Sequence, residues 1–195
     1  MKNLYLLDFD GTISNKDSSK YFFKILLGAK FYYLYYLQNI IAVFCYFLKF
    51  TNQFELKKKR YKLLLDNSKY DKLCSVISES DILIDKIIRP EARVFLNKIK
   101  NKNNKVIIVS AGLSIFLERW AKKNSFDLLT NNVVINEERK FEFVYSYDCN
   151  SYGKVKRIYE YIDVKSFENI YAYGDSPGDL EMLKIADKAY YKPFK

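Results

Sequence analysis

Asp8 and Asp10 stand one residue apart at the end of the run Leu4-Tyr5-Leu6-Leu7-Asp8-Phe9-Asp10-Gly11-Thr12. A short apolar run closing on Asp-x-Asp predicts a buried strand that delivers two carboxylates to its tip. On an extended chain, residues i and i+2 point to the same side, so the two carboxylates crowd one site. Such a pair stays ionised only where a cation or hydrogen-bond donors neutralise it. A hard, oxygen-liganded cation such as Mg2+ fits, as does a nucleophile standing beside an acid/base. An ordinary surface turn is the plain alternative, because Asp-Gly is a common turn dipeptide. Thr12 adds a hydroxyl at the same strand end, and Gly11 permits a backbone turn that other residues resist.

Three further positions carry matching chemistry. In Ser110-Ala111-Gly112, a hydroxyl followed by amides suits a phosphate oxygen near a helix start, although serine there is equally an ordinary cap. Gly153-Lys154 opens a helix, where the dipole disfavours a cation. That local conflict points to a task such as neutralising phosphate, the alternative being a solvated lysine. In Gly174-Asp175-Ser176-Pro177-Gly178-Asp179, Asp175 ends a strand as a metal ligand should, and Asp179 falls in the first turn of the next helix. The G-x-x-x-G spacing is not a dinucleotide fingerprint.

The elements that must position these residues are legible as apolar runs. Leu4–Leu7, Val106–Val109, Ile170–Tyr173 and Ala189–Tyr191 predict strands; Glu91–Lys100, Ser114–Asn124, Lys154–Ile162 and Asp179–Ile185 predict helices. Strands alternating with helices imply an α/β fold, a Rossmann-like parallel sheet with helices on both faces. Ligands of such sheets gather at the carboxyl ends of the strands, where Asp8, Asp10, Ser110 and Asp175 all fall. Val133–Tyr145 alternates around Asn136-Glu137-Glu138-Arg139 and predicts a β-hairpin appended to the sheet. Residues 14–89 lack strand rhythm and predict an inserted helical domain. Pro90, which holds Arg89 extended, marks the return to a core made of 1–13 and 90–195.

Within the insertion, Phe31–Leu48 is an uncharged run of 18 residues, eight of them aromatic. Its length just reaches a membrane span, but its five tyrosines, Gln38 and Asn39 suit an interface better. The cluster Lys57-Lys58-Lys59-Arg60 would suit an anionic leaflet. A helix packed within the insertion, a helix on a membrane surface and a true span are the three possibilities.

The chain has 195 residues, 49% hydrophobic, with a net charge of +10, which favours anionic partners. It has no histidine, which excludes Ser-His-Asp triads, Cys-His pairs and His-ligated zinc. Cys45, Cys74 and Cys149 follow no metal-ligand spacing and suit reduced thiols in a cytoplasmic protein. Met1-Lys2-Asn3 leads directly into the predicted first strand, a start from which no signal peptide is expected. No nucleic-acid-binding signature is present.

Taken together, Asp8-x-Asp10-Gly11-Thr12, Ser110, Lys154 and Gly174-Asp175-(x)3-Asp179 resemble, in order and separation, the four motifs of the haloacid dehalogenase-like phosphatase superfamily. The resemblance is closest to its helical-cap branch, related to phosphoserine phosphatase and to bacterial phosphatidylglycerophosphate phosphatases. It implies a Mg2+-dependent phosphomonoesterase. Asp8 would be the nucleophile, forming an aspartyl-phosphate, and Asp10 the acid/base. Mg2+ would sit between Asp8, the Asp10 backbone carbonyl and Asp175. Thr12, Ser110, Ala111 and Lys154 would hold the phosphoryl group, with Asp179 in support. The insertion takes the position of the cap, with Asp17 and Arg60 as candidate substrate contacts. A small phosphorylated metabolite or a lipid-headgroup phosphate is the implied substrate. Phosphotransfer through the same aspartyl-phosphate, or phosphate binding without catalysis, are the alternatives. Phosphoserine phosphatases usually carry serine where this chain has Gly11 and asparagine where it has Gly178.

Overall fold

The structure, a computed structural model, describes residues 3–47, 53–139 and 141–194. Met1, Lys2, Leu48 and the side chains of Cys45, Tyr46 and Phe47, all used above, lie outside that description.

Five parallel strands form the central sheet: β1 (Asn3–Leu7), β2 (Asn104–Leu113), β3 (Asp127–Asn131), β6 (Asn169–Gly174) and β7 (Lys188–Tyr191). Their spatial order is β3-β2-β1-β6-β7. The chain winds outward from β1 to β3, then crosses back to place β6 on the other side of β1. The winding direction therefore reverses beside β1, the position at which open α/β sheets bind ligands. Leu7 sits in register with Ile108 on one side and Tyr173 on the other, so the residues just after β1 share one edge with those ending β6.

The inner strands are covered on both faces, as the near-continuous apolar runs of β1 and of β2 from Val106 to Val109 require. Leu7, Val106 and Ile108 pack with Leu96 of α6 (Pro90–Ile99) and with Phe116, Leu117 and Trp120 of α7 (Ser114–Lys123). Leu4, Leu6, Ile107 and Val109 pack with Ile158 of α8 (Tyr152–Tyr161) and with Met182 and Leu183 of α9 (Leu180–Lys184).

Between β1 and α6 lie only helices among the described residues: α1 (Ser18–Leu27), α2 (Ala29–Phe47), α3 (Gln53–Asp66), α4 (Tyr70–Ser78) and α5 (Ser80–Asp85). Asp17 caps α1 by accepting from Lys20 N at 2.8 Å, and Gly28 ends it at φ 55°. Arg89 is extended, at φ −62° and ψ 138°, and Pro90 opens α6.

β4 (Val133–Ile135) and β5 (Phe141–Phe143) form the expected antiparallel hairpin, a two-stranded sheet distinct from the five-stranded one. Two expectations need correction. β2 runs past Ser110 to Leu113, with an irregular register beyond Val109. β3 was not anticipated: Asp127 and the polar Thr130-Asn131 interrupt an apolar pattern only two residues long.

Candidate active site

The end of β1 is held by its neighbours on both sides. Asp8 N donates to Tyr173 O at 2.9 Å, continuing the ladder with β6. Phe9 turns the opposite way, into the core against Trp120. Alternation along the strand thus sends Asp8 and Asp10 toward a single pocket that both line. Gly11 then adopts φ +89°, and a Cβ there would lie 2.6 Å from Asp175 Oδ2. Glycine is required here by backbone conformation and by the closeness of Asp175.

Lys154 is the hub. Although in the first turn of α8, its side chain is buried, and Nζ donates to Asp8 Oδ1 at 2.6 Å, Asp179 Oδ1 at 2.6 Å and Val109 O at 2.7 Å. These contacts use all three ammonium protons, and two carboxylates outweigh the unfavourable helix dipole. They hold the lysine pKa above its ordinary value against burial, which pushes it down. Asp179 lies in a 3-10 turn at Pro177–Asp179, just before α9. Its Oδ2 accepts from Ser176 Oγ at 2.7 Å, Ser176 N at 2.9 Å and Asp175 N at 3.1 Å. Asp179 is buried, which by itself raises its pKa, but Lys154 and Ser176 together hold it below the usual carboxylate range.

Asp10 is oriented by the start of α1, accepting from Ser18 N at 2.7 Å and Ser18 Oγ at 3.1 Å. Burial, then the nearby Asp17 charge, pushes its pKa up to about 7. Burial also raises Asp8 to about 6, against the pull of Lys154. Two carboxyl groups titrating near neutrality within one pocket are suited to proton transfer.

A cation fits the acidic cluster. Ligand oxygens of Asp8, Asp175 and Asp179 lie within 4.8 Å of one another. Asp8 Oδ2 is buried and has no hydrogen-bond partner among the described residues, and a buried carboxylate oxygen left so is costly unless something positive meets it. Asp175 accepts from Thr12 Oγ1 at 3.3 Å. Asp179, with both oxygens engaged, is better placed to hold the Asp175–Ser176 turn than to ligate.

The pocket has a volume of about 380 Å³. Asp8, Asp10, Lys154, Ser176 and Asp179 line one wall, and Gln53, Lys57, Arg60 and Tyr61, all on one face of α3, line another. Asp17, Ala111, Asp148 and Asn150 complete it. Lys57 Nζ reaches Asp148 Oδ1 at 2.9 Å, Oδ2 at 3.0 Å and Ala111 O at 3.0 Å. Asn131 Nδ2 donates to the same Asp148 Oδ1 at 2.7 Å and to Ala111 O at 2.8 Å. Arg60 donates to Asn39 Oδ1 at 2.9 Å and stacks on Tyr35 and Tyr61. A larger cavity, about 470 Å³, lies between α7, β3 and β4. Its acidic residues Glu118 and Asp127 are each engaged with a lysine.

The structure therefore brings Asp8, Asp10, Asp17, Arg60, Ala111, Lys154 and Asp179 to one pocket. Ser110 is fully buried and accepts from Gly112 N at 3.0 Å, ordering the Ser110-Ala111-Gly112 turn; Thr12 is also buried. Lys57, Asp148, Asn150, Tyr61 and Ser176 had not been singled out as site residues. Lys57 had a signal: its i,i+3 spacing to Arg60 puts both on one helix face. A Cβ at Gly178 would lie 2.0 Å from Asn150 Oδ1, so the Asn150 amide occupies the space that a side chain at 178 would need.

Four aspartates, Asp8, Asp10, Asp175 and Asp179, and the buried Lys154 thus gather at the sheet edge beside the reversal at β1. The chain belongs to the haloacid dehalogenase-like hydrolase family, whose model matches residues 5–184. Among curated relatives, it is 27% identical to protein CicA of Caulobacter vibrioides, over 98% of this chain and 86% of that protein. Among solved structures, it resembles a protein of unknown function from Bordetella pertussis Tohama I, with a TM-score of 0.77, 17% identity, and 97% and 89% of the two chains covered. It also resembles a substrate-bound phosphoserine phosphatase, with a TM-score of 0.66, 18% identity, and 98% and 86% covered.

Proposed function

We propose that the protein is a Mg2+-dependent phosphatase that hydrolyses a phosphomonoester through an aspartyl-phosphate on Asp8. The observation that carries this reading is the state of Asp8. One oxygen is fixed by Lys154 at 2.6 Å, the other is buried with no hydrogen-bond partner among the described residues, and the residue lines the pocket. A carboxylate so oriented is a nucleophile with one oxygen committed to position and one open to bond formation.

In the first step an Asp8 oxygen attacks phosphorus while the bond to the leaving oxygen breaks, and Asp10 gives that oxygen its proton. A carboxyl pKa near 7 leaves enough of Asp10 protonated to do so. In the second step Asp10 takes a proton from water, which attacks phosphorus and frees Asp8. Lys154 offsets charge on Asp8, and the Ser110–Gly112 turn offers donors to the phosphoryl oxygens. Bound Mg2+ would be held by Asp8, the Asp10 carbonyl and Asp175, and would neutralise phosphoryl charge.

Helices α1–α5 act as the cap, with α3 as the pocket wall facing the leaving group, and Asp17, Lys57 and Arg60 as its charged contacts. The charge of that wall supports a small phosphorylated metabolite or a lipid-headgroup phosphate. Glycine at 11 and 178, where phosphoserine phosphatases carry larger residues, argues for a leaving group other than serine.

The test is phosphate release with Mg2+ across sugar phosphates, phosphoamino acids, nucleotides and a short-chain glycerophospholipid phosphate. Turnover abolished by Asp8→Asn is expected; turnover retained by that variant, or none with any ester, would overturn the reading.

A further inference from the structure

We propose that the outer face of α2 docks on the surface of an anionic lipid bilayer. The inference rests on the helix alone and not on the reaction assigned to the pocket.

The helix is apolar on its inner side, where Phe31, Leu34 and Tyr35 pack on the core, and apolar again on its outer side. An amphipathic surface helix turns its apolar stripe to the protein and its polar residues to water. In α2 the polar Gln38 and Asn39 are on the half-buried side, and Asn39 is bonded to Arg60 of α3. Tyr32, Tyr33, Tyr36, Leu37, Ile40, Ile41 and Phe44 are 40–70% exposed. Their spacing of three and four residues gathers them on one side of the helix, with no charged residue among them. A continuous apolar face of this kind marks an interaction surface.

The surrounding charge identifies the partner. Residues 16–62 contain ten lysines and arginines against two acidic residues, so this quarter of the chain carries most of the net charge of +10. Exposed Lys24 stands over the Tyr32 ring, 5.4 Å from its centre, and exposed Lys30 lies one turn before the stripe. A second copy seated on this face would bring two such basic rims together. An anionic leaflet complements them, and tyrosines place their rings in the acyl boundary with hydroxyls at headgroup level. No helix among the described residues is long and apolar enough to cross a membrane, so α2 would lie in the surface plane. The Asn39–Arg60 hydrogen bond ties the inner side of α2 to the pocket wall. Docking would therefore hold the pocket close to the leaflet.

The full-length protein is tested by flotation with vesicles of phosphatidylcholine alone and of phosphatidylcholine with phosphatidylglycerol, together with light scattering of the free protein. Expected are binding to the anionic vesicles, weakening as salt rises, and a loss of about tenfold or more in partition in Ile40→Glu/Phe44→Glu. Both positions are exposed, and circular dichroism of the variant checks the fold. Lys24→Glu/Lys30→Glu should weaken binding to anionic vesicles selectively. No flotation at low salt would overturn the proposal. So would flotation that the apolar variant leaves unchanged, or a dimer in solution that the same variant converts to monomer.

Discussion

Lys154 Nζ lies 2.6 Å from Asp8 Oδ1, and both side chains are buried. The same ammonium is 2.6 Å from Asp179 Oδ1, so one cation holds the end of β1 to the turn after β6. Removing it would strand two carboxylates in a poorly solvated place. Lys154→Met is expected to cost about 3–5 kcal/mol of stability, read by urea denaturation at neutral pH. Adding Asp8→Asn should recover part of that loss. A cost below about 1 kcal/mol would mean that the cluster is solvated.

The carboxyl pair predicts an unusual pH dependence in metal-free protein. Burial raises Asp8 to about 6 and Asp10 to about 7 from the ordinary 3.8. A group whose pKa is higher in the folded state contributes stability that is complete below its unfolded value. That contribution is lost as pH rises through the folded value. With a chelator present, Tm should therefore fall between pH 4 and 8, and Asp10→Asn should flatten the upper part of the fall. Mg2+ should restore Tm at pH 8 in the wild type and far less in Asp8→Asn or Asp175→Asn.

Gly11 and Gly28 both have positive φ, at 89° and 55°, but a Cβ at Gly28 would meet nothing within 4 Å. Gly28→Ala should cost only the backbone term, about 1–3 kcal/mol, because its ψ of −130° lies outside the left-handed helical region. Gly11→Ala adds a collision with the Asp175 carboxylate, so it should raise the Mg2+ needed for half-maximal activity at least tenfold. An unchanged Mg2+ requirement in Gly11→Ala would remove Asp175 from the proposed metal site.

How much of this was legible varies with the physics of each residue. β1 and β6 could be read because apolar runs buried on both faces end abruptly in acidic residues. Asp8, Asp10 and Lys154 could be read because charge at the end of a buried strand, or at the wrong end of a helix dipole, conflicts with local preference; Asp179, an acid where the dipole favours one, was legible only through the motif it completes. β3 could not, since Thr130 and Asn131 break its apolar run; Asn131 serves instead to bind Asp148. The links from Lys57 to Asp148 and from Asn39 to Arg60 join residues 91 and 21 positions apart. Helix packing, which no local pattern encodes, creates both. The aromatic run was visible in the sequence, but which of its faces meets solvent was not.

Lys57 and Asp148 join α3 to the loop before α8 across the pocket mouth, with side chains 16% and 21% exposed. A double-mutant cycle of Lys57→Ala and Asp148→Asn should give a coupling of about 1 kcal/mol in stability. Lys57→Ala should also raise KM for an anionic ester more than it lowers kcat, because in the proposed reaction the residue would face the leaving group rather than phosphorus. A loss confined to kcat would place it in the chemical step.

The central claim is that Asp8 carries phosphorus between the two steps. Wild type and Asp8→Asn are quenched in acid during turnover of the best ester from the phosphate-release panel, with Mg2+ present, and their peptides are analysed by mass spectrometry. A phosphoryl group on the peptide containing Asp8, labile to hydroxylamine and absent from Asp8→Asn, is the predicted result. Turnover in the wild type with no acid-stable, hydroxylamine-labile phosphoryl group on that peptide, or with phosphate trapped on another residue, would contradict the account.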